Sequence, residues 1–504
     1  MNAKITDFQA KMELTLPAPR IRTPQREGLA KRFSPSDSNL DLTRLAVVGP
    51  ALARAVKSRK FQFLVILPSQ ILFWLVIFTG IFGVIDPTKN FATAITWYIW
   101  FALMFPLTLA IGRAWCVTCP FGGFGEWIQR KTLWGRKQKT LGLGWKMPKP
   151  LAEYGLLIGV FIFLGLTWAE EFFNIAGPGN PILTSYMVLG IVGFAAVSFL
   201  LFERRTFCRY LCPLSSLIGV CGTTSVIAGF RPKDRGKCLN CQTKDCMRGG
   251  KEGYGCPWYT YPATADTNTE CGLCSECYKA CPYDNISLYA QKPLTSVVAP
   301  RKKPIIAWIA VILLGLVLFQ QWNALPSYAT VDNWLNSAMH FPNYPNPIDY
   351  IGTIAFVAVI FAGLAFLVSR AISFRTKIAR SFNAWFAPMM YAFIPLVGAD
   401  FLARVMPKFI NHAAAAVATI PSAFGHPVGF GDFQILNLSW LLRLQYILVG
   451  LGTVGTIYAI SKIAKKDLDQ LTQHKTLARI IPTLIAVVVG GGMIALYFFM
   501  SGAE

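Results

Sequence analysis

Nine long apolar runs, a charged content of only 14%, and thirteen cysteines, most grouped at short spacings, predict an all-α polytopic membrane protein. About nine transmembrane helices are expected, with a small cysteine-rich domain inserted after the fourth. Hydrophobic residues make up 54% of the 504 and Phe alone numbers 37, too apolar for an ordinary soluble multidomain chain. The net charge of +23 does not mark a nucleic-acid binder, because Lys and Arg border the apolar runs and are not gathered on one soluble module. Attraction to an anionic leaflet accounts for them, so lipid is the expected neighbour and nucleic acid is not an expected partner.

Residues 1–60 are polar and basic, and Pro17, Pro19, Pro24 and Pro35 break any long helix. They read as a largely irregular cytoplasmic arm. A short basic helix around Leu45–Lys60 would lie on the membrane surface or lead, solvated, into the first span. No apolar run follows the first charges, so a cleaved signal peptide is not expected. Runs long enough to cross a bilayer lie at 61–85, 95–112, 151–168 and 185–202, then at 304–321, 350–369, 384–405, 438–460 and 480–500. Residues 61–230 thus form a four-helix membrane core, and residues 301–504 an additional membrane domain of about five helices. Lys and Arg are dense at 52–60, 130–148, 204–251, 301–303, 370–380 and 462–479 and sparse elsewhere. That alternation puts the N-terminus and the insert in the cytoplasm, residues 501–504 on the other side, and the chain in the inner (cytoplasmic) membrane.

The insert, residues 231–300, carries eight cysteines. Its second half reads Cys271-x2-Cys274-x2-Cys277-x3-Cys281-Pro282, the spacing that wraps three thiolates around one [4Fe–4S] cube and sends the fourth to another. The first half, Cys238-x2-Cys241-x4-Cys246-x9-Cys256-Pro257, is a looser copy. The crossover rule assigns Cys238, Cys241, Cys246 and Cys281 to one cube, and Cys271, Cys274, Cys277 and Cys256 to the other. The insert is therefore expected to be a two-cluster bacterial-type ferredoxin domain. Four-Cys zinc sites compete as a reading, but zinc ribbons do not need a third Cys at x2 followed by x3-Cys-Pro. Lys233, Arg235, Lys237, Lys244, Arg248 and Lys251 would offset cluster charge, dock an acidic partner, or simply be solvated.

A repeat marks the membrane core. Arg113-Ala-Trp115-Cys116-Val-Thr-Cys119-Pro120 closes span two, and Arg205-Thr-Phe207-Cys208-Arg-Tyr-Leu-Cys212-Pro213 follows span four. Cys116, Cys119, Cys208 and Cys212 are open to three readings: ligands of a third metal centre, a reversible dithiol/disulfide relay, or small buried residues at helix ends. Cys221, alone among apolar neighbours, reads as packing.

Two membrane Cys-Pro motifs followed by a two-cluster ferredoxin resemble the membrane iron–sulfur proteins of the NapH/NosR type, to which the CcoG-type proteins of oxidase assembly are also similar. The resemblance covers about residues 61–300. It implies a membrane-bound electron-transfer protein relaying electrons between the quinone pool or a cytoplasmic donor and a membrane or extracytoplasmic reductase system. It departs in three ways: the x2 spacing of Cys116 and Cys119 is one residue shorter than the family's x3, there is no room for the soluble outer domains of NosR and CcoG proteins, and residues 304–504 add spans that NapH-like proteins lack.

In the added region, Asp400 and Arg404 stand one turn apart on span seven and Arg443 lies in span eight. Intramembrane charge pairs or lines a wet cavity, so Asp400 is the candidate proton donor of a quinone site, with an Asp400–Arg404 or Asp400–Arg443 structural pair as the alternative. His340, His412 and His426 are expected in outer loops. No nucleotide or flavin fingerprint is visible. Function is expected to be that of a quinol dehydrogenase or an electron-transfer subunit working with a redox partner protein or complex. The alternative, implied by the CcoG resemblance, is an assembly factor that reduces a metal or disulfide for a partner respiratory enzyme.

Overall fold

The computed structural model describes residues 39–135, 141–176, 179–341, 345–426 and 435–501. Among them are nine helical segments long and apolar enough to cross a membrane, at each of the nine expected places. The chain is a multi-pass membrane protein. In the first half these segments are α2 (Phe61–Phe82), the continuous path Phe91–Arg130, α6 (Lys149–Phe172) and α7 (Pro181–Leu201). The second path contains a π-helical turn (Ala94–Trp100), α3 (Phe101–Ile111), a 3-10 turn, α4 (Trp115–Thr118) and α5 (Pro120–Arg130). α8 (Pro213–Cys221) then leads into the insert. Beyond the insert come α13 (Pro304–Trp322), the amphipathic α14 (Pro326–Met339), α15 (Pro347–Ile372), α16 (Phe382–Ala392), α17 (Ile394–Ala418), α18 (Leu438–Ile463) and α19 (Lys475–Ser501).

Asparagine starts several of these helices. Asn90, Asn180, Asn346 and Asn437 each accept a backbone N–H of the following turn through Oδ1, satisfying donors that have no partner inside the helix. All four open segments that enter from the side opposite the insert. The path α16–α17 is the centre of the second half, with 89% of its apolar window buried, so polar groups on it meet protein rather than lipid. α17 packs on α18, on α3 and on the π-helical turn, which joins the added helices to the four-helix core.

The insert is built on an antiparallel sheet of order β1-β3-β2, with β1 at Leu40–Asp41, β2 at Ile227–Pro232 and β3 at Ile286–Ala290. β2 pairs with β3 from Ile227↔Ala290 to Pro232↔Ile286, broken by a bulge between Ile227 and Gly229. Between them run α9 (Arg235–Asn240), α10 (Asp245–Arg248) and α11 (Glu276–Ala280), and α12 (Thr295–Val298) follows β3.

Two expectations gain detail and one needs correction. The arm is not irregular throughout: residues 1–38 lie outside the described residues, but Leu40–Asp41 adds a strand to the insert's sheet through Leu40↔Ala290 and Asp41↔Tyr289. The basic helix α1 (Gly49–Lys57) packs on the insert: Val56 is buried with Phe230 and Tyr278, and Lys57 Nζ stands 3.5 Å from Asp284. His412 is not in a loop. Span seven runs on past Pro407 to Ala414, and the His412 ring sits inside it, 4.8 Å from that of Tyr98.

α2 and α7 approach at Gly80. A Cβ there would fall 1.9 Å from Ser185 Oγ and 2.8 Å from the Pro181 carbonyl oxygen. Gly80→Val should therefore cost about 1–3 kcal/mol through overpacking, read as a lower unfolding midpoint in detergent. Gly190→Val, with nothing within 4 Å of the new Cβ, should leave the midpoint unchanged.

Candidate metal centres

The two Cys-Pro motifs differ by one residue in sequence and converge in structure. In the first, a 3-10 turn (Gly112–Ala114) and α4 carry Cys116; Cys119 leaves the helix at φ −64°, ψ 122°, and Pro120 opens α5. In the second, a π-helical turn (Phe207–Leu211) carries Cys208; Cys212 leaves at φ −68°, ψ 123°, and Pro213 opens α8. A π turn holds about one more residue than an α turn, so x3 in one motif and x2 in the other end in the same backbone geometry. Both prolines occupy the first helical position, where a missing N–H costs nothing. The sulfurs of Cys119 and Cys212 face the amides of Phe121 and Gly122 and of Leu214 and Ser215, although neither closes a capping hydrogen bond. The positive ends of two helices thus point at thiols that act electrostatically on one another across the motifs, Cys208 and Cys212 each feeling Cys116 and Cys119.

The arginines of the repeat are exchanged between its halves. Arg113 donates from Nη1 to Ser215 Oγ at 3.0 Å and from Nη2 to the Ser215 carbonyl at 2.8 Å, both on α8. Arg205 donates from Nη1 to the Cys116 carbonyl at 3.2 Å and binds Glu126 on α5, Nη2 to Oε2, at 2.6 Å. Glu126 also accepts from Gln62 Nε2 at 2.8 Å and from Arg130. Six residues past Pro213, where Glu126 stands after Pro120, the second motif has Gly219, and a Cβ there would strike Arg113 Nη2. Arg113 is 2% exposed and, among the described residues, forms no ion pair; its Nη1 lies 3.9 Å from Cys116 Sγ. A buried cation without a carboxylate, beside the Cys116 thiol, fits a negatively charged iron–sulfur cube and would be costly without one.

In the insert, the thiols lie close enough to act on one another, within and between the two sets that the spacing predicts. Cys238, Cys241, Cys246 and Cys281 act on one another, and Cys277 feels Cys256, Cys274 and Cys271. Amide groups already point at the first set: Asn285 Nδ2 donates to Cys238 Sγ at 3.3 Å, Asn285 N to Cys281 Sγ at 3.4 Å, and Lys244 N to Cys241 Sγ at 3.4 Å. Such hydrogen bonds are among the levers that set a cluster's potential. This set borders a hollow of about 310 Å³, open on one side, with Tyr261 and Ile286 in its wall. Burial, joined by Cys238 and Cys281, pushes Cys246 up to about 12, and burial pushes Cys256 up to about 11. Unloaded, these are thiols at neutral pH, so loading must release protons. The second set depends on the bulge: Gly229 has φ +92°, and a Cβ there would come within 2.7 Å of Cys271 Sγ. Among the described residues no three His, Cys, Asp or Glu side chains converge on the tight shell of a single ion, whose thiolates stand about 2.3 Å from it.

The three sets are contiguous. Cys208, Cys256, Cys274 and Trp258 share one buried cluster, with Cys116, Cys119 and Cys212 packed on it. Cys246 and Cys256 act on each other, and Met247 touches both the membrane-side cluster and that of the outer set. Arg204 fastens the junction by donating from Nη1 to the carbonyls of Met247 and Cys256, both at 2.7 Å. Arg113 lies over the Trp258 ring at 4.8 Å. Of the basic residues singled out in the insert, Lys233 pairs with Asp284 at 3.0 Å, Lys244 lies over Tyr261 and Arg235 is buried. Arg231, buried beside Cys271 and Cys277, escaped the sequence reading because it sits within a strand.

Beside Cys212 and Pro213 lies a cavity walled by aromatic side chains, among them Trp97, Trp100 and Phe163, with Glu170 in its lining. Asp400 is not part of its lining. It is fully enclosed on α17, where Oδ1 accepts from Gln321 Nε2 at 2.6 Å, and Arg404 is its electrostatic neighbour. Arg443 instead stacks on Trp440 at 4.7 Å. Cys221 is buried in the main apolar core, as expected of a packing residue.

A 4Fe-4S binding domain family matches residues 93–141 and 184–221, the two stretches that hold Cys116 with Cys119 and Cys208 with Cys212. No curated protein and no solved structure matches. The chain therefore carries a 4Fe–4S binding domain with an electron-transfer role, and the match falls on the membrane motifs.

Serine substitutions separate the centres. If the membrane thiols hold a cube, Cys212→Ser should remove about four irons and their sulfide per chain while leaving the insert's content unchanged, measured by iron and sulfide analysis of anaerobically purified protein. Cys274→Ser should likewise remove about four, from the other set. Unchanged iron in Cys212→Ser would reduce the membrane thiols to structural residues.

Proposed function

We propose that this protein relays electrons within the membrane between a quinone and a partner on the face that carries the insert. One cube is assigned to Cys116, Cys119, Cys208 and Cys212, one to Cys256, Cys271, Cys274 and Cys277, and one to Cys238, Cys241, Cys246 and Cys281. Each cube accepts and returns one electron. The observation that carries this reading is continuity: the aromatic cavity touches Cys212, the membrane thiols share a buried cluster with Cys256 and Cys274, and Cys246 joins that set to Cys241 at the surface.

The cavity suits a quinone head. Its walls are largely aromatic, and Thr96, Glu170 and Cys212 are the few polar groups of its lining. The Trp and Phe side chains would hold an aromatic ring by stacking, and α8 fixes Cys212 at the inner end. Arg113 and Arg205 compensate negative charge there without moving. The face carrying the insert is assigned to the cytoplasm of a cell's inner membrane by the distribution of Lys and Arg. At that face Lys237 and Lys244, beside Cys238 and Cys241, offer an acidic redox partner a cationic rim.

Reduction by a short-chain quinol tests the reading in detergent-solubilised chain prepared without oxygen. Quinol should bleach the iron–sulfur absorbance, and Leu166→Trp, which fills the cavity, should slow this by about tenfold or more while dithionite still reduces every centre. Equal quinol rates in the two proteins would leave the cavity to an acyl chain and remove quinone from the account.

A further inference from the structure

The added helices present a feature that holding a quinone does not require. Along α17, Asp400, Arg404, Lys408 and His412 recur every fourth residue and so share one side of the helix. Lys408 acts on Glu170 and Glu171 of α6 and on Arg404, and Arg404 acts on Glu171 and Asp400. Glu171 Oε2 accepts from Asn323 Nδ2 at 2.9 Å. Asp400 is 0% exposed with Oδ2 unpartnered, and Arg404 Nη1 is buried without an acceptor. Tyr497 of α19 stands beside Asp400, and the ring of Tyr98, on the π-helical turn whose other residues wall the cavity, rests against His412. Ionisable groups are expensive among spanning helices and mark ion or proton routes. Glu170 belongs to both structures, being at once part of the aromatic cavity's lining and a neighbour of Lys408.

We propose that Glu170 exchanges protons with the occupant of the cavity and that Glu171, Lys408 and His412 carry them to and from the membrane face opposite the insert, with Arg404 as a fixed positive charge beside them. The proposal rests on the quinone reading above. A quinol that is oxidised breaks two O–H bonds and gives up two electrons and two protons. The electrons leave past Cys212 toward the insert. The Glu170 carboxylate takes one proton, releases it along this route, and is then free to take the second, so charge and atoms balance. Run backward, the same groups deliver two protons to a quinone that receives two electrons. Electrons and protons part in opposite directions, which makes the reaction charge-separating.

The test uses the whole chain in liposomes with a pH-sensitive dye trapped inside, a short-chain quinol in the bilayer, and ferricyanide outside. Ferricyanide cannot cross, so it oxidises only those chains whose insert faces outward. In the wild type the interior should acidify as ferricyanide is consumed, and a protonophore should collapse the change. Glu170→Gln should abolish the acidification and slow quinol-driven turnover by about a hundredfold, Glu170→Asp should restore much of the rate, and dithionite should still reduce every centre in both. Lys408→Met should lose acidification as well. Protons released on the ferricyanide side by the wild type, or full turnover in Glu170→Gln, would overturn the proposal while leaving the quinone reading intact. A wild type reduced by dithionite but not by quinol would instead defeat the quinone reading, and the outlet with it.

Discussion

Two helices that begin at proline, α5 and α8, point their first amides at Cys119 and Cys212, and the guanidinium of each motif crosses to the other. That head-to-head meeting fixes where negative charge can be held at the edge of the spanning helices. Buried charge is tolerated only when opposite charge and hydrogen bonds meet it. Here Arg205 has Glu126, whereas Arg113 has neutral oxygens and a sulfur. The asymmetry is encoded by one pair of residues, Glu126 against Gly219, at matching places in the repeat.

From Glu126 the same logic extends into the insert. Arg130 reaches Glu126, stacks on Tyr254 at 3.9 Å and lies 4.0 Å from Glu276, which holds Lys279 Nζ at 3.1 Å and accepts the Tyr254 amide at 2.8 Å. A chain of alternating charge therefore runs from the membrane helices into the loop that carries Cys274 and Cys277. Losing one member would strand the others in a dry place, which typically costs several kcal/mol. Electron transfer needs centres held at fixed separations, and a buried ionic framework supplies stiffness that a polar hinge would not.

Much of this was legible in advance, and what was not has definite causes. The spans could be read because length and hydropathy are local properties. The clustering of the insert's thiols could be read because cysteines at ligand spacing in short loops are brought together by the chain itself. The equivalence of the Cys-Pro pairs could not, since a one-residue difference is absorbed by a π turn whose existence depends on packing against α6. Glu170 and Glu171 look like ordinary interfacial carboxylates at a helix end, and only the approach of α17 turns them inward. His412 was misplaced because Pro407 and Lys408 mimic the end of a span. β1 was invisible, as two residues in a polar arm have no periodicity and gain their partner from nearly 250 positions away.

That distant pairing constrains how the molecule is made. Leu40 and Ala290 can meet only if the chain crosses the bilayer an even number of times between them, which the four intervening segments satisfy. During synthesis the first strand must wait, uncovered, while those segments are threaded and β2 is laid down, because its neighbour β3 emerges last. The sheet edge can therefore close only after every cysteine of the insert has been made, since Cys281 precedes β3 in the chain.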